Sequence, residues 1–441
     1  MSGLSRREGP PPRGRLRWRG ALRHRNFRLF WFGQMVSLIG TWMQSLAQAW
    51  LVLTLTGAPI WLGVVAAAQF LPVLVLGLFG GIIADVLPKR RTLIATQVAS
   101  MLLAFAMAAL VFANVVQVWH ILVLASLLGL VNAIDMPTRQ AFVVEMVGRD
   151  DITNAVGLNS AVFNAARIVG PAVGGLLIGA FDLAASFFLN GLSFIAVIAG
   201  LALMRDAELL SVGRMARPTG VRDVMANLAE GLRYVGRTPV VRLAVVLVGV
   251  VATVGMNFNV IGPALAKTVL GVGATGLGFL MASMGLGSLT AALLIAALRR
   301  PRPWIIVGGA LLLGIVEVAL GGVRSYPFAL GAMFLAGFGA IAMMISANTA
   351  IQLAVPDRLR GRVIGVYTTV FAGSTPIGAP IVGWLASAFS TEVALVTGGA
   401  IAIVAAVFAG IWLRRGGLEA VPPAAAPAPT PAGGGEPAAA R

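Results

Sequence analysis

The sequence predicts an all-α membrane protein with twelve transmembrane helices arranged as two pseudo-symmetric six-helix bundles. Of the 441 residues, 58% are hydrophobic and 11% are charged, whereas soluble domains carry about 25% charged residues. Apolar runs of about 20 residues, the length that crosses a bilayer, recur along the chain. Cations gather in every second loop between these runs. Composition, run length and charge placement therefore all indicate a polytopic membrane protein.

Short turns that carry charges, Pro or Gly separate the predicted spans. We expect spans at about 29–55, 61–84, 92–114, 119–134, 154–180 and 183–204, and then at about 240–266, 274–298, 304–323, 327–353, 363–388 and 392–413. The two bundles are thus predicted to occupy residues 29–204 and 240–413. Three polar segments flank them: a basic cytoplasmic tail at 1–28, a cytoplasmic connector with an amphipathic helix at 205–239, and a disordered Ala/Pro-rich tail at 414–441.

The cations test the number of spans. One set of loops holds Lys89 to Arg91, Arg139 and Arg149, seven Arg from Arg205 to Arg242, Arg299 to Arg302, and Arg358 to Arg362. The other set holds Lys267 and Arg324. Because basic loops stay in the cytoplasm, we predict an even number of spans in the plasma membrane (the inner membrane of a bacterium), with both termini cytoplasmic. The net charge of +17 then reflects topology and indicates no nucleic-acid partner.

Several classes of function lack the residues that they need. The chain has no Cys and two His residues, which excludes disulfides, thiolate metal sites and His-rich metal sites. The sequence shows no nucleophile–base pair, no cluster of metal ligands and no glycine loop that would cradle phosphates. We therefore expect neither an enzyme nor a resident cofactor or metal.

The two halves of the chain resemble each other. A shift of 208 residues places Gly157 on Gly365, Gly170 on Gly378 and Gly175 on Gly383. The repeat predicts that the fifth and eleventh spans occupy equivalent places in two related bundles. Transporters built from such repeats bind their substrate near the bilayer midplane, between the halves.

A charged break after the second span reads Gly-Gly-Ile-Ile-Ala-Asp-Val-Leu-Pro-Lys-Arg-Arg over residues 80–91. It resembles the loop between the second and third helices of major facilitator superfamily transporters. Val86 and Pro88 depart from the family pattern, which has a basic residue and Gly at these positions. The resemblance implies a conformational latch formed by Gly81, Asp85, Lys89, Arg90, Arg91, Asp135 and Arg139. The alternative is a simple cytoplasmic turn.

The fifth span contains Ala-Arg-Ile-Val-Gly-Pro-Ala-Val-Gly-Gly over residues 166–175. This run is similar to the antiporter motif of exporters in the same superfamily, and it comprises Gly157, Gly170, Pro171, Gly174 and Gly175, with Ala166 in place of one glycine. Small residues allow close backbone approach, and proline removes one helical hydrogen bond. The resemblance implies export, and packing alone is the alternative. Runs at 135–142 and 230–235 are similar to the enterobactin-exporter-like branch.

Polar residues of the first span form one stripe: Gln34, Ser37, Thr41, Gln44 and Gln48 fall within about 80° of one another on a helical wheel. Because amides facing lipid are costly, we expect the stripe to face protein or a water-filled cavity. In the superfamily, the first, fourth, seventh and tenth helices line the pathway. The predicted substrate cavity comprises Gln34, Thr41, Gln44, Gln48, Asn132, Arg167, Asn257, Asn348 and Gln352. Hydrogen bonds that only hold the bundle together are the alternative.

Charged residues inside the spans are few. Arg167 needs an anion or carbonyl oxygens nearby, and it could bind an anionic substrate or pair with Asp135 or another carboxylate. Proton coupling needs a titratable acid on the pathway, and the acids available are Asp135, Glu145 and Glu317. Glu317 ranks low because the ninth helix usually packs on the outside in the superfamily.

The superfamily resemblance covers about residues 25–415 and implies a secondary transporter that works by alternating access. The favoured function is export of a small organic molecule, such as a siderophore or a drug-like compound, with protons as the coupling ion and a monomer as the working unit. An importer with the same fold and a membrane sensor that does not transport are the alternatives. The sequence leaves the substrate and the proton-carrying residue open.

Overall fold

The computed structural model of the chain describes residues 20–210, 221–298 and 302–415, and for residues 78–86 and 221–224 it describes the backbone alone. Helices form nearly all of this structure, and the described residues include no strand. Eleven helical segments are long and apolar enough to cross a membrane. One of them, Val118–Ala180, has 63 residues, which at 1.5 Å per residue would extend about 95 Å, roughly three bilayer cores.

Gly148 divides this long segment into two spans. Its backbone has φ 74° and ψ −179°, a left-handed φ that glycine adopts without steric cost. The division yields the predicted total of twelve spans. They are α1 (Arg25–Thr56), α2 (Ile60–Val86), α3 (Lys89–Phe112), α4 (118–147), α5 (149–180), α6 (Leu183–Ala202), α7 (Pro239–Val269), α8 (Ala274–Ala297), α9 (Pro303–Gly322), α10 (Tyr326–Ala354), α11 (Asp357–Ala388) and α12 (Thr391–Arg414).

The fourth span is longer than the sequence predicts. A charged loop was expected after residue 134, yet α4 continues to residue 147. The helix continues because its acid is neutralised locally. Asp135 forms an ion pair with Arg139 one turn later, and it accepts hydrogen bonds from Thr96 Oγ1 at 2.7 Å and Gln97 Nε2 at 2.9 Å. The carboxylate is thus satisfied inside the bundle without a loop.

The first span also begins earlier than predicted, at Arg25. A 3₁₀ turn, Ala21–Arg23, precedes it and contacts the start of α5. The backbone N–H of Ala21 donates to Asn154 Oδ1 at 2.9 Å, and His24 Nε2 lies 2.9 Å from Asp151 Oδ2. The last residues of the predicted basic tail therefore belong to the fold, whereas residues 1–19 lie outside the described structure.

The helices form two related six-helix bundles. In the first half, α1 contacts α6, α2 contacts α4, and α3 contacts α6. In the second half, α7 contacts α12, α8 contacts α10, and α9 contacts α12, which is the same set of contacts shifted by six helices.

Two symmetric seams join the bundles: α5 packs on α8, and α11 packs on α2. A β-carbon at Gly175 would lie 2.7 Å from the carbonyl oxygen of Ala274, and one at Gly383 would lie 2.8 Å from that of Pro59. These two glycines are the residues that the 208-residue shift superposes. Each seam approaches to backbone contact because both positions lack a side chain.

Hydrogen bonds reinforce both seams at the end of the molecule opposite the chain termini. Thr275 Oγ1 donates to the carbonyl of Gly175 at 2.9 Å, and the N–H of Ile60 donates to Ser387 Oγ at 2.8 Å. Between α1 and α7, Lys267 Nζ donates to the carbonyl of Leu53 at 3.2 Å. The bundles are therefore closed against each other at this end.

The connector contains a helix, Val221–Arg237. Tyr234 donates from its hydroxyl to the carbonyl of Ala354 at 3.1 Å, and Glu230 forms an ion pair with Arg362. The side chains of Met225 and Leu232, two apolar residues of this helix, are exposed. The helix is thus fixed to the second bundle by one edge and leaves apolar side chains uncovered.

Candidate functional site

A cavity of about 120 Å³ lies between the two bundles. Helices α1 and α5 of the first bundle and α7 and α8 of the second form its walls. The lining residues are Trp42, Ser45, Leu46, Ala49, Arg167, Pro171, Met256, Phe258, Asn259, Pro263, Leu277, Met281 and Met284. Arg167 is the one charged residue among them, so the cavity combines a mostly apolar wall with a single cation.

The antiporter-like motif holds α5 against α1 beside this cavity. A β-carbon at Gly170 would lie 2.5 Å from Trp42 Cβ and 2.8 Å from the carbonyl oxygen of Ile39, and one at Gly174 would lie 3.1 Å from Met43 Cγ. Because α1 approaches so closely, Trp42 lies next to Arg167. Gly157 has no neighbour within 4 Å of its β-carbon position, so it makes no such contact.

Arg167 contacts an aromatic ring rather than an acid. Its guanidinium carbon lies 6.0 Å from the centroid of Trp42, and Phe163 packs edge-on against the same ring, with centroids 5.7 Å apart. Within the described part of the chain, this guanidinium has neither an ion pair nor a hydrogen bond. Since a guanidinium carries five N–H donors, most of its capacity to bind an anion is free.

The opposite wall is a broken helix. The first part of α7 is Pro239–Val254, and the helix is interrupted at residues 255–257. It resumes as Phe258–Ala264 and ends in a π turn, Leu265–Val269. Met256, Phe258 and Asn259 all line the cavity. Interrupted helices at membrane depth expose backbone polar groups and are typical of transporter binding sites, so the break lies where a substrate would be held.

Three methionines of the second bundle line the cavity: Met256 on α7, and Met281 and Met284 on α8. Methionine is unbranched and polarisable, and it fills irregular gaps around differently shaped partners. Binding surfaces rich in methionine are accordingly permissive. The cavity wall can therefore adapt to more than one apolar shape.

The structure distributes the predicted cavity residues over several environments. Arg167 lines the cavity. Gln44 instead accepts a hydrogen bond from Asn190 of α6 at 2.7 Å, and Asn257 donates to the carbonyl of Thr253 at 2.7 Å. The other predicted residues are placed as follows: Thr41 donates to Ser37, Gln352 donates to Asn348, Gln34 is buried, and Gln48 and Asn132 are half-buried. Of the nine residues predicted to form the substrate cavity, Arg167 is the one that lines this cavity.

On α1, the polar stripe and the residues that line the cavity lie on different faces of the helix. Gln44 marks the side turned to α6, whereas Trp42, Ser45, Leu46 and Ala49 line the cavity. At 100° per residue, the centres of the two faces are about 110° apart. The stripe was predicted to face protein or a cavity, and at Gln44 it faces protein.

The described members of the predicted latch contact residues of their own bundle or of the start of the connector. Lys89 pairs with Glu145 at 2.6 Å, and Arg90 pairs with Asp206 at 2.6 Å while donating to the carbonyl of Leu201 at 2.8 Å. Asp135 and Arg139 pair with each other, and Arg91 is exposed. For Gly81 and Asp85 the structure describes the backbone alone, so the latch stays a prediction.

Sequence reasoning did not identify Trp42 or the three methionines as lining residues. It weighted polar side chains, which are conspicuous in a membrane span, over apolar ones. The available signal was the recurrence of methionine halfway along the seventh and eighth spans, together with a tryptophan one position from the polar stripe.

Comparisons with known proteins agree with this architecture. A sequence profile of the transmembrane secretion effector family matches residues 19–431. The multidrug efflux pump Tap of Mycolicibacterium fortuitum is 30% identical over 370 residues, which are 82% of this chain and 89% of that protein. The enterobactin exporter EntS of Shigella boydii is 28% identical over 254 residues, which are 56% of this chain and 58% of that protein.

A solved structure shares the fold at low identity. It is a bacterial homologue of the human lysosomal transporter Spinster in an inward-facing, occupied conformation, with a TM-score of 0.70 and 14% identity over 91% of this chain and 98% of that one. The matched family and its relatives are membrane transporters and not enzymes. The chain therefore belongs to the transmembrane secretion effector family of major facilitator superfamily transporters, and it is an integral membrane protein that transports a small molecule.

Proposed function

We propose that this protein exports a small organic compound by proton-coupled alternating access, and that it works as a monomer with both termini in the cytoplasm. The carrying observation is Arg167, a cation without a carboxylate partner among the described residues, on a cavity between two bundles. An apolar wall with one cation suits a compound that combines an apolar body with an anionic group. Relatives named as a multidrug efflux pump and an enterobactin exporter support the direction.

The energetics of Arg167 favour a substrate role. A cation at membrane depth costs several kcal/mol unless it is paired. The Trp42 ring offsets about 0.5–2 kcal/mol of this cost through its π face. A carboxylate or phenolate of the substrate would accept charge-assisted hydrogen bonds, which are about twice as strong as neutral ones. The substrate would therefore supply the counterion that the protein lacks at this position.

Closure at one end supports an alternating cycle. The seams close the end opposite the termini, so with cytoplasmic termini the closed end is the one that faces outside. Export then requires α5 to separate from α8, and α11 from α2, while the other end closes. Because the seams consist of glycine–backbone contacts and a few hydrogen bonds, the bundles can separate there without breaking an ion pair among the described residues.

The test is efflux from proteoliposomes and from cells loaded with carboxyfluorescein as an anionic probe, Nile red as a neutral probe, and enterobactin. Each compound is followed with an imposed pH gradient, with the gradient collapsed by a protonophore, and in liposomes without protein. We expect gradient-dependent loss of at least one anionic compound. Gradient-dependent accumulation in cells would instead establish an importer. Movement in neither direction, from protein shown to be folded, would contradict transport and favour the sensor.

A further inference from the structure

Glu317, five residues before the end of α9, is a buried acid that has no ion-pair partner among the described residues. The residue is 4% exposed, and its Oε2 atom has no hydrogen-bond partner among the described residues. The other two acids that the sequence offers for proton coupling are both engaged. Asp135 is held by Arg139 and two hydrogen bonds, and Glu145 is held by Lys89. Glu317 differs from both, because no ion pair of the described structure includes it.

The carboxyl group faces backbone rather than charge. A β-carbon at Gly255 of α7 would lie 3.2 Å from Glu317 Oε2, and one at Gly398 of α12 would lie 3.5 Å from the same atom. At Gly399 a β-carbon would lie 2.9 Å from Glu317 Cβ. Three glycines thus leave room for an acid between α7, α9 and α12, and the pocket presents main-chain atoms to it.

The titratable groups on the helices packed against α9 are occupied elsewhere. They are Arg242 and Lys267 on α7, Tyr326 on α10, and Glu392 and Arg414 on α12. Lys267 donates to Leu53, Arg242 lies over the Trp412 ring, Tyr326 donates to Gly276, Glu392 pairs with Arg324, and Arg414 is exposed at the end of its helix. None of them forms an ion pair or a hydrogen bond with Glu317, so no cation of the described residues stabilises an ionised carboxylate there.

An ionised carboxylate in such a place is costly, because removing a charge from water without a counterion costs several kcal/mol. In the closed conformation seen here, the neutral carboxylic acid is the favoured form. Ionisation would require water or a polar backbone group to reach Oε2. The nearest interruption of a helix is the break in α7, which begins at Gly255.

That break connects Glu317 to the cavity. Gly255 faces the carboxyl group, and the next residue, Met256, lines the cavity, as do Phe258 and Asn259. A change in the conformation of residues 255–257 would therefore alter the environment of the acid and the shape of the substrate wall together. This is the coupling between an ion and a substrate that a secondary transporter requires.

We propose that Glu317 is the proton-binding residue of the transport cycle and that it acts through the break in α7. It holds a proton in the conformation described here and releases it when the break rearranges and admits water, so that one proton is bound on one side and released on the other. Glu317 is a positioning residue for the substrate wall, not a substrate contact. This inference rests on the proposed proton-coupled export.

The first test needs no substrate. The chain has no Cys, so Asn259→Cys provides a single site for a nitroxide spin label on the cavity wall. Its spectrum is recorded against pH in purified, lipid-reconstituted protein carrying Glu317, Glu317→Gln or Glu392→Gln. We expect a reversible pH-dependent spectral change with Glu317 and with Glu392→Gln. We expect Glu317→Gln to lose that change and to keep the acid-form spectrum throughout.

Gln reproduces the shape and neutrality of the protonated acid, so Glu317→Gln is expected to fold. Glu317→Asp, which keeps an acid in the pocket, is the second variant and should show the spectral change at a different pH. Infrared spectra should show the C=O band of a buried carboxylic acid in the parent and in Glu392→Gln, and its loss in Glu317→Gln. A titration of Glu317→Gln like that of the parent, or an unchanged infrared band, would overturn the proposal.

The transport arm uses the compound that responds to the gradient in the efflux panel. In Glu317→Gln the rate of efflux driven by the pH gradient should fall more than tenfold, whereas the rate of substrate exchange at equal pH should stay within twofold of the parent. In Glu392→Gln both rates should stay at the parental values. Loss of exchange together with driven efflux would also overturn the proposal, because a proton site need not serve exchange. If efflux by the wild-type protein does not depend on the pH gradient, the proposed proton-coupled export is wrong. The two spectroscopic measurements test protonation of Glu317 independently of transport, so the two failures can be told apart.

Discussion

Substituting Gly175 with Ala should shift the protein away from the conformation described here. The new β-carbon would lie 2.7 Å from the Ala274 carbonyl oxygen and 3.0 Å from the Gly278 α-carbon. Both contacts are backbone atoms of the other bundle, so no side chain can rotate away. The seam must widen by about 0.7 Å to restore ordinary contact, and overpacking of this kind costs about 1–3 kcal/mol.

That cost falls on one conformation only. Once α5 has separated from α8, the added methyl group contacts nothing in the opposite bundle. The equilibrium between closed and open seams should therefore move toward the open state by a factor of about 5 to 150. Gly157→Ala, in the same helix and the same motif, adds a methyl group with no neighbour within 4 Å and is the matched control.

The assay uses the absence of native cysteine. Ser45→Cys places one thiol on the exposed cavity wall, and a membrane-impermeant maleimide is applied to intact cells. Gly175→Ala should raise the labelling rate of this thiol from outside, while Gly157→Ala should leave it at the parental value. Equal labelling in the two variants, at equal abundance and thermal stability, would refute the role of this seam as the closed gate.

Three further predictions concern charged residues. Arg167→Met should reduce transport of an anionic compound more than tenfold and spare a neutral one, measured as parallel carboxyfluorescein and Nile red efflux; equal loss of both would indicate a structural role. Asp85→Asn should slow transport at near-normal abundance because it weakens the predicted latch, and unchanged rates would remove that role. Asp135→Ala should lower stability by about 1–3 kcal/mol, because it removes the buried acceptor of Arg139, Thr96 and Gln97. The readout is a fall in the melting temperature in detergent, and an unchanged melting temperature would show that the pair is not needed for stability.

The fold was largely predictable because the features that specify it can be read along the sequence without knowing which residues are in contact. Span length and basic-loop alternation depend on composition along the chain, and these gave twelve spans. The boundary errors arose where three-dimensional pairing overrides composition. Asp135 looks like a loop residue until Arg139, Thr96 and Gln97 are seen to satisfy it inside α4.

The site was predictable only in part, because the direction a side chain faces depends on neighbours that hydropathy does not specify. Arg167 was identified since a lone cation in a span is conspicuous in any sequence. Gln44 was predicted to line the cavity, and the structure gives it a hydrogen bond from Asn190 on another helix, which the sequence could not indicate. Glu317 was ranked low from the usual place of its helix, whereas three glycines on α7 and α12 make an internal pocket for it.

The closed seams also determine which solution conditions control the gate. Their closest contacts are glycine against main chain, and no ion pair of the described residues joins one bundle to the other. Each pair lies within a bundle, within the connector, or between a bundle and the connector or the N-terminal segment. Mobile ions screen charges but leave van der Waals contact unaffected. The population of open seams should thus stay nearly constant from dilute buffer to high salt. It should respond instead to hydrostatic pressure and to bilayer thickness, which makes the gate a mechanical element rather than an electrostatic one.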